Sequence, residues 1–148
     1  MANKLIDVTF VADTNILADG DVVTDTVEIP HAVDLPNQAA ILDSIVLHDE
    51  DDQGIALDIV FLRSSVTVGT KNAAPNISDA NAREIIGIVN IATSDYVDLG
   101  GNRVANKRLV GLAVKPVTGT SIYASIITRG GTPTYTASGL KAKFGFRL

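Results

Sequence analysis

The chain has 148 residues, 46% of them hydrophobic, with seven aromatic side chains, no tryptophan, no cysteine and a net charge of −5. That suits one domain with a core of Val, Ile, Leu and Ala, and it excludes disulfides, thiol catalysis and cysteine-ligated metal. No apolar run approaches the roughly 18 residues of a spanning helix, and Met1-Ala2-Asn3-Lys4 leads into a strand pattern without a signal-peptide core. Neither a membrane span nor export is therefore expected, and the Asn76-Ile77-Ser78 sequon reads as a chance match.

The charge is unevenly distributed. Residues 1–70 carry 13 acidic and two basic side chains, a charge of −11, whereas residues 71–148 carry four acidic and ten basic ones, a charge of +6. Such a split marks either surfaces for opposite partners or strands of both halves interleaved in one sheet, where charges neutralise locally. The second is expected, because sequence halves of all-β folds rarely form separate lobes.

Residues 5–11 read as a first strand, with Ile6, Val8 and Phe10 on one face by the period of two. Residues 13–21 form a loop with Asp19-Gly20 as its turn signal. Residues 22–29 read as a second strand, with Val23, Val27 and Ile29 sharing a face, and Pro30 ends it by removing a donor. The most telling stretch is 41–62, ILDSIVLHDEDDQGIALDIVFL. Two β-branched runs, 39–47 and 55–62, flank an acidic turn at 49–54, which predicts a β-hairpin with a buried body and a charged tip. The runs are more continuous than alternation, so both are expected to be central strands covered on part of both faces.

Residues 64–76 form a polar loop with a β-like piece at Val66-Thr67-Val68. Ser78 is a good N-cap, Asp79 suits the positive end, and breaker-free 79–85 predicts a helix of about two turns. Residues 86–92 read as a strand in which Gly87 marks a bulge or a close backbone approach. A short strand at 96–99 stops at Gly100-Gly101-Asn102. Residues 109–117 and 121–128 predict a second hairpin around Thr118-Gly119-Thr120, and 130–139 is a turn-rich loop. At the end, Leu140, Ala142, Phe144, Phe146 and Leu148 alternate inward while Lys141, Lys143 and Arg147 point outward. That basic face, about 20 Å long at 3.3 Å per residue, reads as either a docking stripe or an edge strand guarded by lysine. About eight short strands and one short helix near 78–85 predict an all-β, jelly-roll-like β-sandwich, a single domain over 1–148.

No residue pattern in this chain carries chemistry of its own. Asp49, Asp51, Gln53 and Gly54 match the first, third, fifth and sixth positions of a calcium loop, but the twelfth, which needs a bidentate Glu, is Val60 inside a strand. A solvated charged turn is the simpler expectation, with cation binding left open. His31 and His48 are the only histidines, and no Gly-x-Ser-x-Gly elbow accompanies them. Paired carboxylates are abundant enough for hydrolase chemistry, but Tyr96, Tyr123 and Tyr135 are too scattered for a sugar platform. Gly100-Gly101-Asn102-Arg103 and Gly130-Gly131-Thr132 lack the Gly-Lys-Ser/Thr of a phosphate cradle. A net acidic chain without basic–aromatic clusters is a poor nucleic-acid binder. No enzyme activity, cofactor or metal is expected.

The ordered segments 18–22 (ADGDV), 28–30 (EIP), 40–52 (AILDSIVLHDEDD), 57–64 (LDIVFLRS), 72–80 (NAAPNISDA), Ile86 to Ile91, 96–100 (YVDLG) and 132–140 (TPTYTASGL) resemble the capsid decoration, or cement, proteins of tailed bacteriophages. The resemblance spans most of the chain and brings no site residues with it. It implies a mostly β virion protein, made in the bacterial host cytoplasm, that binds the capsid exterior. Its partners would be the major capsid protein and further copies of itself, a trimer before a dimer, with no nucleic acid and no membrane. Asp49, Asp51 and Asp52 of the acidic turn and Lys141, Lys143 and Arg147 of the last strand are the expected contact residues. The rival expectations are another virion β-module of neck, tail or fibre, a carbohydrate-binding or adhesion module, and a small carboxylate hydrolase.

Overall fold

Alternation of apolar and polar residues sets the first sheet. In the computed structural model, which describes residues 3–148, β1 (Asn3–Thr9) pairs antiparallel with β9 (Leu140–Arg147). Ile6, Val8 and Phe10 point toward the core, as do Leu140, Ala142, Phe144 and Phe146. The other edge of β9 pairs with β3 (Ala40–Asp49). β3 pairs in turn with β7 (Arg103–Val114), and β7 with the three-residue β6 (Tyr96–Asp98). The second sheet runs β2 (Val27–Ile29), β8 (Ile122–Thr128), β4 (Leu57–Leu62), β5 (Ile85–Ile91).

These two orders, β1-β9-β3-β7-β6 and β2-β8-β4-β5, are those of a jelly roll with one short strand added at an edge. The chain is therefore an all-β sandwich, as its strand spacing predicts. Both expected hairpins are corrected, however. The strands flanking the acidic turn, β3 and β4, lie in different sheets, and so do β7 and β8. In each case the turn carries the chain across the sandwich. Apolar periodicity identifies a strand and its buried face, but both sheets bury their inner faces against the same core, so periodicity cannot name the partner.

Phe144 sits at the centre of that core. Its ring meets Phe10 edge-on at 6.4 Å between centroids and Phe61 at 5.5 Å, with interplanar angles of 80° and 81°. Aromatic pairs favour this geometry because the positive ring edge faces the negative ring face. A second, smaller cluster of Val22, Val60, Leu62, Val68 and Ile127 covers the outside of the four-stranded sheet. β4 is thus buried on both faces, which accounts for its continuous apolar run.

Three smaller expectations shift. Residues 22–29 make only a three-residue strand, because Val22 and Thr24 bridge instead to Ile127 and Ala12. Thr24 is buried there and its hydroxyl accepts the Ile126 N–H at 3.0 Å. The 66–68 piece forms no strand, and Val68 anchors the loop in the second cluster. The helix is one turn, Asp79–Ala82, capped as expected by Ser78 Oγ accepting the Asn81 N–H at 3.1 Å. It stops early because Ile85 and its neighbours pair with β4.

Strands of the two sequence halves interleave, and the charge split disappears in space. Basic β9 lies between β1 and β3 and meets acidic side chains on both sides, with Lys143–Asp7 at 2.8 Å, Lys141–Glu50 at 2.5 Å and Arg147–Asp43 at 3.5 Å. The last strand is therefore central, which corrects the edge-strand reading.

Gly87 meets both of its expectations. Ile86 is bulged between the pairs Phe61–Gly87 and Leu62–Ile85, and a Cβ at Gly87 would stand 2.5 Å from Leu112 Cδ1 across the sandwich. Gly87→Ala should destabilise the fold by about 1–3 kcal/mol in urea unfolding. In the Leu112→Ala background that cost should shrink, because the colliding atoms are gone.

Candidate functional site: the acidic turn and the charged sheet face

Asp49 is the last residue of β3, and its side chain points inward with no accessible surface. An ionised carboxylate is kept in such a place only if donors replace water. Here the turn supplies three of them. Asp49 Oδ1 accepts the Asp51 N–H at 3.1 Å, and Oδ2 accepts those of Gln53 at 2.9 Å and Gly54 at 2.7 Å. Reaching this geometry takes the chain through left-handed backbone at Asp52 and Gly54, with φ of 54° and 62°. Asp tolerates that region by local hydrogen bonding and Gly by having no Cβ.

The next carboxylate ties the turn to a distant loop. Asp51 accepts the Thr136 N–H at 2.9 Å and the Thr136 hydroxyl at 3.1 Å. Gln53 Oε1 accepts the Thr134 N–H at 3.1 Å, and Glu50 N–H donates to the Gly139 carbonyl at 2.9 Å. At Gly139 a Cβ would overlap Asp51 Oδ2 and Thr136 Oγ1, so only glycine lets the loop close on the turn. Asp52 completes the arrangement with a 2.7 Å bond from Arg103 Nε. That pairing raises the Arg103 guanidinium further above its ordinary range.

The turn's chemistry is therefore different from the solvated tip expected of it. Asp49 offers a partner no surface, while Asp51 and Asp52 are half-buried and bound to this chain's own Thr136 and Arg103. The carboxylate oxygens that would hold a calcium ion accept N–H and O–H bonds instead, and Val60 lies in the opposite sheet. Among the described residues no group of three or more acidic, His or Cys side chains is arranged to hold a metal ion.

Electrostatics around Asp49 follow from burial. Burial pushes its carboxyl above the usual range; the three N–H bonds oppose this, and the charge of Asp51 adds to it. Tyr96 and Tyr135 lie close by. Burial first, then nearby negative charge including Asp49, pushes both phenols well above their ordinary value. Tyr96 donates to the Ile55 carbonyl at 2.9 Å, while the buried Tyr135 hydroxyl has no partner. Asp95 shows the opposite balance. Burial raises it, but the Lys107 ammonium and the Ala92 N–H outweigh burial and hold it below the usual range.

Lys141, Lys143 and Arg147 share the outer face of the five-stranded sheet, as their alternation predicts, with side chains 40%, 43% and 49% exposed. They are flanked by Glu50, Asp7 and Asp43, so the face presents alternating charge and no simple basic stripe. A concavity of about 460 Å³ opens on this face between Asp7, Glu50, Arg103, Lys141 and Lys143, with His48 at its floor. His48 Nε2 is covered and has no hydrogen-bond partner. His31 occupies a left-handed turn, with φ of 56°, and its ring approaches the Thr120 hydroxyl at 3.4 Å.

Sequence reading missed Thr134, Thr136, Gly139 and Arg103. The turn-rich composition of 130–139 marks a loop, but nothing local names the acidic turn as its partner 81 to 85 residues away.

No protein-family model matches this chain, and no match was found among the curated proteins. Among the described residues, no helix is long and apolar enough to cross a membrane.

Two measurements test the latch. The raised Asp49 carboxyl makes the folded state bind a proton that the unfolded state has already released, between the ordinary carboxyl range and the raised folded value. Its contribution should therefore fall as pH rises through that window and level off above it. Urea unfolding from about pH 3 to pH 7 should show this trend in the wild type relative to Asp49→Asn, which cannot titrate. Separately, Gly139→Ala should cost about 1–3 kcal/mol. In the Asp51→Ala background that cost should shrink by about 1 kcal/mol or more, because the nearer of the two colliding oxygens is gone.

Proposed function

We propose that this chain is a virion structural protein, a cement or decoration protein of a tailed bacteriophage that binds the outer surface of the capsid and clamps neighbouring capsid subunits. The observation that carries this reading is the latch at residues 49–54. It joins two of the segments that bear the family resemblance, 40–52 and 132–140, through Asp51 and Thr136. In this turn the carboxylates act as internal fasteners, which suits a rigid module whose work is to hold a shape against another surface.

The charged outer face of the five-stranded sheet is the contact this reading assigns to the capsid. Its carboxylates and cationic groups alternate within hydrogen-bond distance of one another, so a partner with the complementary alternation meets it without burying an unpaired charge. Many copies acting together explain how weak clamps stabilise a shell under internal pressure, since each adds its own free energy to the assembly. On this reading Asp49, Asp51 and Asp52 support the surface, while Lys141, Lys143 and Arg147 belong to it.

Purified protein added to expanded, undecorated capsids should bind saturably and raise their resistance to heat and to chelator. Lys143→Glu should weaken binding by about tenfold or more at moderate salt, because it places like charges beside Asp7 and reverses the contact pattern. Equal melting of capsids with and without saturating protein would count decisively against a cement role. A copy number of about a dozen per particle, rather than hundreds, would move the protein to a neck or tail position.

A further inference from the structure

A β-sandwich leaves strands at its edges with unpaired backbone groups, and soluble proteins guard such edges with charge, shortness or bulges. Among the described residues, three of the four sheet edges are guarded. β1 carries Lys4 and Asp7, β2 is three residues long with Glu28 at its centre, and β6 is three residues long and ends in Asp98. The fourth edge is β5, Ile85-Ile86-Gly87-Ile88-Val89-Asn90-Ile91, seven residues with no charge and no proline. Ile88 is 57% exposed and Asn90 is exposed.

The direction of the free groups follows from the ladder. The Arg129 N–H bonds the Ala56 carbonyl, so every second residue of β4 from there, Asp58, Val60 and Leu62, bonds toward β8. Leu57, Ile59 and Phe61 then bond toward β5, through their partners Ile91, Val89 and Gly87. Ile88 and Asn90 are left directing N–H and C=O away from the sheet. The bulge at Ile86 ends the regular edge, so Gly87 to Ile91 is the usable stretch.

We propose that β5 is a self-association edge and that its occupant is β5 of a second copy, paired antiparallel about a twofold axis at Val89. That register brings Ile88 opposite Asn90 of the partner copy, twice by symmetry, and joins the two free N–H and two free C=O groups of each copy in four hydrogen bonds. It also sets the two Ile88 side chains diagonal to each other on the outer face, within side-chain reach and partly removed from water. An uncharged strand is self-complementary under a twofold, whereas the guarded edges would bring charges or too few residues to the pairing. The two four-stranded sheets merge into one eight-stranded sheet. The resulting assembly is a dimer, in place of the trimer expected from the resemblance. The inference stands apart from the capsid reading, since it concerns the isolated protein.

Sedimentation of the purified full chain, from low micromolar concentration to ~100 µM, should show a mass rising from one copy to two. In the same range, amide exchange at Ile88 and Asn90 should slow by about tenfold or more as concentration rises. Ile88→Lys should remain monomeric at ~100 µM with an unchanged circular dichroism spectrum, because its charge falls on the exposed face of the edge. A wild type that stays monomeric throughout, a trimer, or a dimer whose Ile88 and Asn90 amides exchange as fast as in the monomer would overturn the proposal. Unaltered dimerisation of Ile88→Lys would overturn it as well.

Discussion

The buried carboxylate of Asp49 governs how this chain crosses its own sandwich. A strand that ends in the interior leaves backbone donors that must be satisfied before the chain turns. Asp49 meets that requirement with three bonds from its own following residues, and the turn so formed delivers Leu57 into the opposite sheet. Removing a partner from such an arrangement costs far more than the net value of the bonds, because the orphaned donors stay buried. The same burial raises the carboxyl pKa, so the interaction that organises the turn is also the one that responds to acid.

From that turn the rest of one end of the molecule follows. Asp51 faces outward from the Asp49 turn and meets Thr136, Gln53 meets Thr134, and Gly139 leaves room for both. Asp52 holds Arg103 at the start of β7. Three segments far apart in the chain are thereby fastened at one corner, beside the charged outer face of the five-stranded sheet. Charges on that face pair across neighbouring strands, so the −11 and +6 halves of the sequence become an even surface. A surface built this way would discriminate between partners by pattern more than by net charge.

Edge strands divide the molecule's contacts into two kinds. The outer face of the five-stranded sheet offers side chains, and β5 offers backbone. Main-chain pairing is nearly indifferent to sequence but demands an unguarded strand, whereas a charged face demands a matching pattern. The proposed twofold pairing through β5 would leave the charged faces of both copies open, so it would not compete with a partner on that face.

Strand identity was legible in the sequence wherever one face is buried and the other wet. Residues 140–147 alternate cleanly, and the structure places each apolar side chain inward. The double-sided burial of β4, the Ser78 cap and the crowding at Gly87 were legible for the same reason, since each is a local demand on one residue type. Pairing was not legible. The 41–62 stretch reads as a hairpin because two apolar runs and a turn are all that local pattern contains, and a turn across the sandwich needs the same ingredients. Only tertiary structure decided between them, through the core that both sheets share and the donors that gather on Asp49. The latch partners Thr134, Thr136 and Gly139 were hidden likewise, because a hydrogen bond across 81 or 85 residues leaves no period and no spacing in the chain that makes it.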